Sequence, residues 1–215
     1  MNGKELLALF RRGLVPGPNE SEEAFIKRAA SHFPLSLPEW EEVAPLLQTE
    51  WGFAMDWVPL TYSSEKLLLW EGAVFWIRED GSSFIQLKKH SPEILIHEAV
   101  HAAREAFNEP VFEEFLAYAT CRASWRRFLG PLFTHIWEFP LFALAIFFIP
   151  FFPWISSLVV AFFFGRLLFR HFFFSRMKRI VSPSVLLCLT DREIFTGKIL
   201  YSSLRAQLIE ELKKL

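Results

Sequence analysis

The sequence predicts a mainly α-helical protein with one small antiparallel β-hairpin and a two-helix transmembrane hairpin. Three observations carry that expectation. Stretches of apolar residues at helical spacing are bounded by capping residues. One pair of short β-type segments flanks a turn signal. A Phe-rich block, FLGPLFTHIWEFPLFALAIFFIPFFPWISSLVVAFFFGRLLFRHFFF, is much longer than the roughly 20 apolar residues that cross a bilayer.

Along the chain, GKELLALFRR reads as a short amphipathic helix, and PGPN breaks it. Ser21 is placed to cap a helix through SEEAFIKRAASHF, with acids in its first turn. PEWEEVAPLLQ starts the next, with Pro38 in a first-turn position. AVFWIR and SSFIQLK are β-type segments about an EDG turn. HSPEILIHEAVHAAREAF then forms a helix with Ser91 as cap and Pro92 at its first position. Asn108-Glu109-Pro110 ends it, and VFEEFLAYATCRASWRRF is the following helix. After the apolar block, Asp191 can cap REIF, and SLRAQLIEELKKL is a terminal amphipathic helix.

Pro150 and Pro153 interrupt the Phe-rich block near its middle, which divides it into spans at about Leu132–Ile149 and Trp154–Phe174. Arg122, Arg126 and Arg127 precede the block, while Arg170, Arg176, Lys178 and Arg179 close or follow it. The turn carries no charge. Basic flanks at both ends and a neutral turn imply two crossings with both termini inside. Glu138 and Arg166 fall at nearly the same depth in such a hairpin, where a lone charge is costly: either they pair across it, or Arg166 snorkels to the cytoplasmic interface and Glu138 faces water or stays protonated.

The expected organisation is therefore a cytoplasmic domain over 1–127, a transmembrane hairpin over 128–175 and a basic helical tail over 176–215. The location is the cytoplasmic membrane, multi-pass, with both termini and any active site on the cytoplasmic side. A lipid bilayer is an expected partner. The formal charge of -1 gives no general case for nucleic acid. The first part, up to Arg127, holds 13 basic and 19 acidic residues, whereas from Arg166 onward there are 10 basic and 4 acidic, so the tail can dock on the acidic part or on anionic lipid. Two cysteines, Cys121 and Cys188, are too few for a disulfide framework and fit a reducing compartment. MNGKELLALFRRG has no apolar signal core.

The chemistry concentrates in LIHEAVHAAREAFNEPVFEEFLAY, residues 95–118. His97 and His101 are one helical turn apart, so both rings project from one face. Zinc accepts two such nitrogens, needs a third protein ligand and keeps one position for water. Glu98 can be aimed at that water as general base. The neighbours Leu95, Ile96, Ala99, Val100 and Ala102 are uncharged, as a buried helix requires. The reversal at Asn-Glu-Pro lets a second helix bring a carboxylate, for which Glu113 and Glu114 compete.

HEAVH followed by EFLAY resembles the gluzincin zinc metallopeptidases, in particular their compact members, and the Glu-Phe-x-Ala pattern is similar to that of membrane-bound peptidases of the Ste24/HtpX type. The likeness covers about residues 73–127. It implies Glu114 as third ligand, since Ala117 then falls three positions later, with Glu113 as the fallback. Many gluzincins carry an acid four residues after the ligand glutamate, which fixes a ligand histidine; here that position is Tyr118. Glu113 or Glu105 can take over that task, and Tyr118 either faces the cleft and polarises a substrate carbonyl or simply packs. Arg104 is expected in a surface salt bridge and His90 in a loop.

The function expected is a membrane-anchored zinc-dependent peptidase, hydrolysing peptide bonds of a peptide or protein substrate through a zinc-activated water. Such a substrate is expected to add as a strand to the edge formed by Ser83–Lys88. The alternative is an inactive or latent membrane-anchored scaffold with a structural zinc site.

Overall fold

The computed structural model describes residues 1–68, 71–199 and 203–215. The chain is mainly helical with one small mixed sheet. Three helices open it: α1 (Gly3–Arg11), α2 (Glu22–Ser31) and α3 (Pro38–Trp51). The Ser21 hydroxyl caps α2 by accepting from Ala24 N, and Pro38 occupies the first turn of α3, as the sequence predicts. Gly52 then ends α3 in the left-handed conformation (φ 82°), which a residue without Cβ adopts freely.

The sheet holds β1 (Leu60–Tyr62), β2 (Ala73–Ile77) and β3 (Ser83–Leu87) in the order β1-β3-β2. β2 and β3 form the expected antiparallel hairpin, with Phe75 opposite Ile85. Asp80 closes its turn by accepting from Ser82 N at 2.9 Å. β1 was not expected. It runs parallel to β3, joined by Ile85 N to Pro59 O (2.9 Å) and Ser63 N to Leu87 O (3.0 Å). Its three residues alternate too briefly to give a pattern. The addition makes β3 the central strand, so the edge facing the helices belongs to β2 and not to Ser83–Lys88.

Next come α4 (Pro92–Ala103), α5 (Pro110–Tyr118) and α6 (Ser124–Leu129). Ser91 takes the cap position of α4 but its hydroxyl makes no capping bond. α4 is buried nearly all round, from Leu95 to Ala103, between α3, β2 and α5. Burying each such aliphatic side chain stabilises by roughly 1.5–3 kcal/mol, so α4 sits at the centre of the core. Asn108 makes the turn into α5 with φ 49°, a conformation asparagine tolerates. The single helix expected over 111–128 is two: α5 stops at Tyr118, and α6 starts after a bend at 119–123.

A 3-10 turn at Gly130–Leu132 leads to α7 (Glu138–Phe147) and α8 (Pro153–Lys178). The first apolar helix is thus ten residues long and begins at Glu138, not near Leu132. The shortening has a local cause: the Glu138 carboxylate accepts from Thr134 N at 2.8 Å and from the Thr134 hydroxyl at 3.2 Å, folding 134–137 into a bend. Among the described residues α8 is the one helix long and apolar enough to cross a membrane. α7 packs on its first half through Phe142 and Phe163 (ring centroids 5.3 Å apart).

The chain finishes with α9 (Pro183–Leu187), α10 (Asp191–Thr196) and α11 (Leu204–Leu212). These share the core of the first helices: α11 packs on α1, and α9 on α3. Thr190, and not Asp191, caps α10, in a capping box with Glu193. Glu193 is fully buried and paired with Arg205 at 2.7 Å.

Candidate metal centre

α4 and α5 meet through the turn at Asn108 so that one face of each looks into a shared cleft. Helical spacing puts His97 and His101 on that face of α4, and α5 brings Glu113 and Glu114 opposite them. The Nε2 atoms of His97 and His101 lie 3.2 Å apart. Glu114 reaches both with its two oxygens, 3.6 Å to His97 Nε2 and 3.5 Å to His101 Nε2. A tetrahedral zinc ion, bonded at about 2.0–2.1 Å, holds its donor atoms about 3.4 Å apart, and one donor atom from each of the three residues lies within 4.8 Å of the others, close enough to share one ion after a small adjustment. The donor set, two imidazoles and a carboxylate, also suits zinc chemically.

The acid beside Glu114 has a separate task. Glu113 Oε1 is 2.7 Å from His101 Nδ1. That contact fixes the ring and directs its Nε2 at the other two donors. Of the two glutamates left open by the residues, Glu114 therefore faces both histidines and Glu113 supports one of them from behind.

Electrostatics follow from burial and neighbours. Burial, helped by the charges of His101 and Arg126, pushes His97 well below the usual histidine range and keeps it neutral. Burial also disfavours charge on His101, but the Glu113 hydrogen bond and the charges of Glu114 and Glu98 outweigh it and carry His101 to about 10. Burial raises Glu114, against the attraction of His101 and with the repulsion of Glu113. Glu98 is buried one position beyond His97, and burial, helped by the Glu114 charge, pushes its carboxyl up to about 7 against the attraction of His101.

Tyr118 stands at the end of α5 with its ring edge-on to His97, 4.5 Å between centroids. Burial, then the Glu114 charge, raises its phenol to about 12. The ring needs Gly130 opposite it, because a Cβ there would lie 2.5 Å from the ring. Tyr118 thus both packs and lines the cleft.

The cleft has a volume of about 590 Å³. One wall is β2, from Gly72 to Phe75; another is the segment Phe133–Ile136 with Phe139, at the root of α7. Arg126, His135 and Glu71 also line it, and nothing in their spacing marked them in advance.

Two other residues lie elsewhere than expected. Arg104 is 1 % exposed, not in a surface salt bridge: it donates to the carbonyls of Leu187 (2.6 Å) and Leu189 (3.0 Å) and stacks over Phe107. Glu105 does not support His97 or His101; it pairs with Arg28 (2.7 Å) and His32 (2.8 Å). His90 lies in an exposed loop, as expected, 2.9 Å from Glu42. A further residue went unrecognised as part of this region. The Asp191 carboxylate accepts from Val111 N (2.9 Å) and Phe112 N (3.0 Å), capping α5 from across the fold.

Comparisons of the chain with protein-family models, curated proteins and solved structures return no match.

Proposed function

We propose that the protein is a membrane-anchored zinc peptidase of gluzincin type, with His97, His101 and Glu114 as metal ligands and Glu98 as general base. One observation carries this reading: the convergence of one donor atom each from His97, His101 and Glu114 within 4.8 Å of one another, beside a buried glutamate, in a cleft walled by an edge strand. When bound, zinc supplies a Lewis acid and a water of near-neutral pKa.

The chain's own residues have complementary tasks. Glu98, with a carboxyl near 7, accepts a proton from a water at neutral pH and returns it to a departing amine. The free edge of β2 offers backbone groups to an extended peptide, which adds there as a further strand. Tyr118, protonated far above neutrality, donates a hydrogen bond to the carbonyl oxygen under attack. Apolar α7 and α8 hold the site at a membrane, and the flanking arginines and lysines favour its cytoplasmic face.

The test uses the full chain in detergent or vesicles. The purified protein is stripped with a chelator, reloaded with zinc and offered a peptide library and casein. Cleavage that returns with zinc and is absent from Glu98→Gln supports the proposal. Stoichiometric zinc with no cleavage of any substrate, equal in both chains, favours a scaffold with a structural site.

A further inference from the structure

Glu138 and Arg166 mark the level at which α7 and α8 leave the rest of the fold. Below that level α8 is built into the domain: Phe174 packs on Phe112 and Phe115, Leu167 and Met177 are buried, and His171 Nε2 lies 2.8 Å from the Phe128 carbonyl. Above it, residues 139–165 carry no charged side chain. Large apolar groups there stand in the open, including Phe147, Phe151, Trp154 (89 % exposed), Ile155 and Leu158. Water does not favour such an arm, and an uncharged arm on every side is matched by hydrocarbon.

The base of the arm has the composition of a membrane interface. Trp125 and Trp137 are exposed there (65 % and 59 %), and Arg126 and Arg127 follow Trp125 on α6. Tryptophan with arginine is the pairing found at lipid headgroups.

Length decides how deep the arm goes. α7 has ten residues, and α8 has thirteen from Pro153 to Gly165. At a rise of 1.5 Å per residue these reach roughly 15 and 20 Å. The hydrocarbon core is roughly 30 Å thick. The lower half of α8 adds little to the reach, because one face of it packs on the domain and it carries Arg166, Arg170 and Arg176, although Leu168, Phe169 and Phe172 stay exposed on its outer face.

We propose that α7 and α8 enter one leaflet only, as a monotopic wedge whose tip, Ile149–Trp154, rests near the bilayer midplane. Two full crossings are replaced by one half-depth insertion, with both ends still on one face. The inference rests on the membrane-anchoring part of the proposed function and is independent of the peptidase part. The cleft, walled by Phe133–Ile136 at the root of the wedge, then opens at headgroup level.

The experiment uses the full chain with Phe152→Cys, in vesicles of equal parts phosphatidylcholine and phosphatidylglycerol. The wild-type chain, whose two cysteines are buried, is the blank. A maleimide that does not cross bilayers is added outside or trapped inside. We expect no labelling from either side and full labelling after detergent. A nitroxide at the same position is expected to show the oxygen access of the midplane. In the wild-type chain, the fluorescence that is lost on Trp154→Phe should be quenched most by bromines near the acyl-chain ends. Labelling from one side while the chain is anchored from the other shows a crossing and overturns the proposal. Labelling from the anchored side shows that no insertion occurs. Protection together with Phe152→Cys cross-links between copies, and no midplane signal, shows that a second copy covers the arm, and overturns it as well.

Discussion

Arg166 holds Glu138 with both ends of its guanidinium, each 2.6 Å from a carboxylate oxygen, at the point where the two apolar helices part from the domain. The same carboxylate accepts from Thr134 N, and Arg166 also donates to the Leu132 carbonyl at 2.9 Å. The pair therefore sets the register of α7 on α8 and the bend before α7. Removing one partner of a buried pair leaves the other charge uncompensated, at a cost of about 3 kcal/mol. Glu138→Gln and Arg166→Met should each destabilise by about that amount. The double variant should lose clearly less than the sum. Arg166→Lys should rescue poorly, because an ammonium cannot make the bidentate contact. Chemical unfolding in detergent measures all four; additive losses would show that the two residues act separately.

Glu98→Gln should leave the fold and zinc content unchanged and lower peptide cleavage by about 100-fold or more, the usual span for a lost general base. The amide has the same shape but takes no proton. Undiminished cleavage by a zinc-loaded Glu98→Gln chain would assign the proton transfer to another group.

Zinc uptake should release protons and strengthen as pH rises. In the metal-free protein His101 keeps its proton up to about 10. Zinc needs that nitrogen bare, so binding at neutral pH displaces the proton, and affinity climbs until the pH passes the His101 value. Glu114→Ala should abolish stoichiometric binding. Glu113→Gln should only weaken it, by about 10- to 100-fold, and reduce the proton release, because the group that sustains the His101 charge is lost. Calorimetry in buffers of different ionisation enthalpy counts the protons. If the two glutamate variants behave alike, the division of labour between ligand and support is wrong.

Glu20 should contribute to an acid-sensitive part of the stability. Burial would raise its carboxyl, but hydrogen bonds from Arg28 (2.8 Å) and Gly17 N outweigh this and lower it below its ordinary 4.5. A carboxylate lowered on folding stabilises fully above its ordinary value, and that contribution fades as the pH drops through the lowered one. Glu20→Gln should therefore be less stable than the parent at neutral pH and converge with it in acid. Melting temperatures across the acid range test this; a constant difference at every pH would remove Glu20 as the source.

Much of the site could be read from the chain because it is local. The spacing of His97, Glu98 and His101 needs only one helix, and Asn-Glu-Pro shows where the second begins. The rest depends on residues far apart in sequence. Nothing near REIF says that Asp191 serves α5, since the helix it caps ended 73 positions earlier, at Tyr118. Arg104 looks like a surface cation because it stands just past a helix end, and only the packing of residues 187–189 buries it. β1 joins β3 through a parallel pairing that no short turn announces, and this moves the free sheet edge to β2. The apolar block showed its total length but not its start, because a hydrogen bond from Thr134 to Glu138 decides where α7 begins.

Asp191 carries a consequence for when the candidate metal centre can be completed. Pro110 opens α5 and has no N–H, so Val111 and Phe112 supply the first free donors, and Asp191 takes both. Arg104, just past the histidine helix, is held by carbonyls at 187 and 189. Both helices of the candidate metal centre thus lean on a segment that leaves the ribosome after α7 and α8. A growing chain has its histidines and glutamates early, but lacks the buttress that orders them until the apolar arm has already been made. Under the proposed function, synthesis itself acts as a safety catch: the candidate metal centre is completed last. A chain stopped at Ile180 should bind zinc more weakly than the full chain, and equal binding by the two would show that no such delay exists.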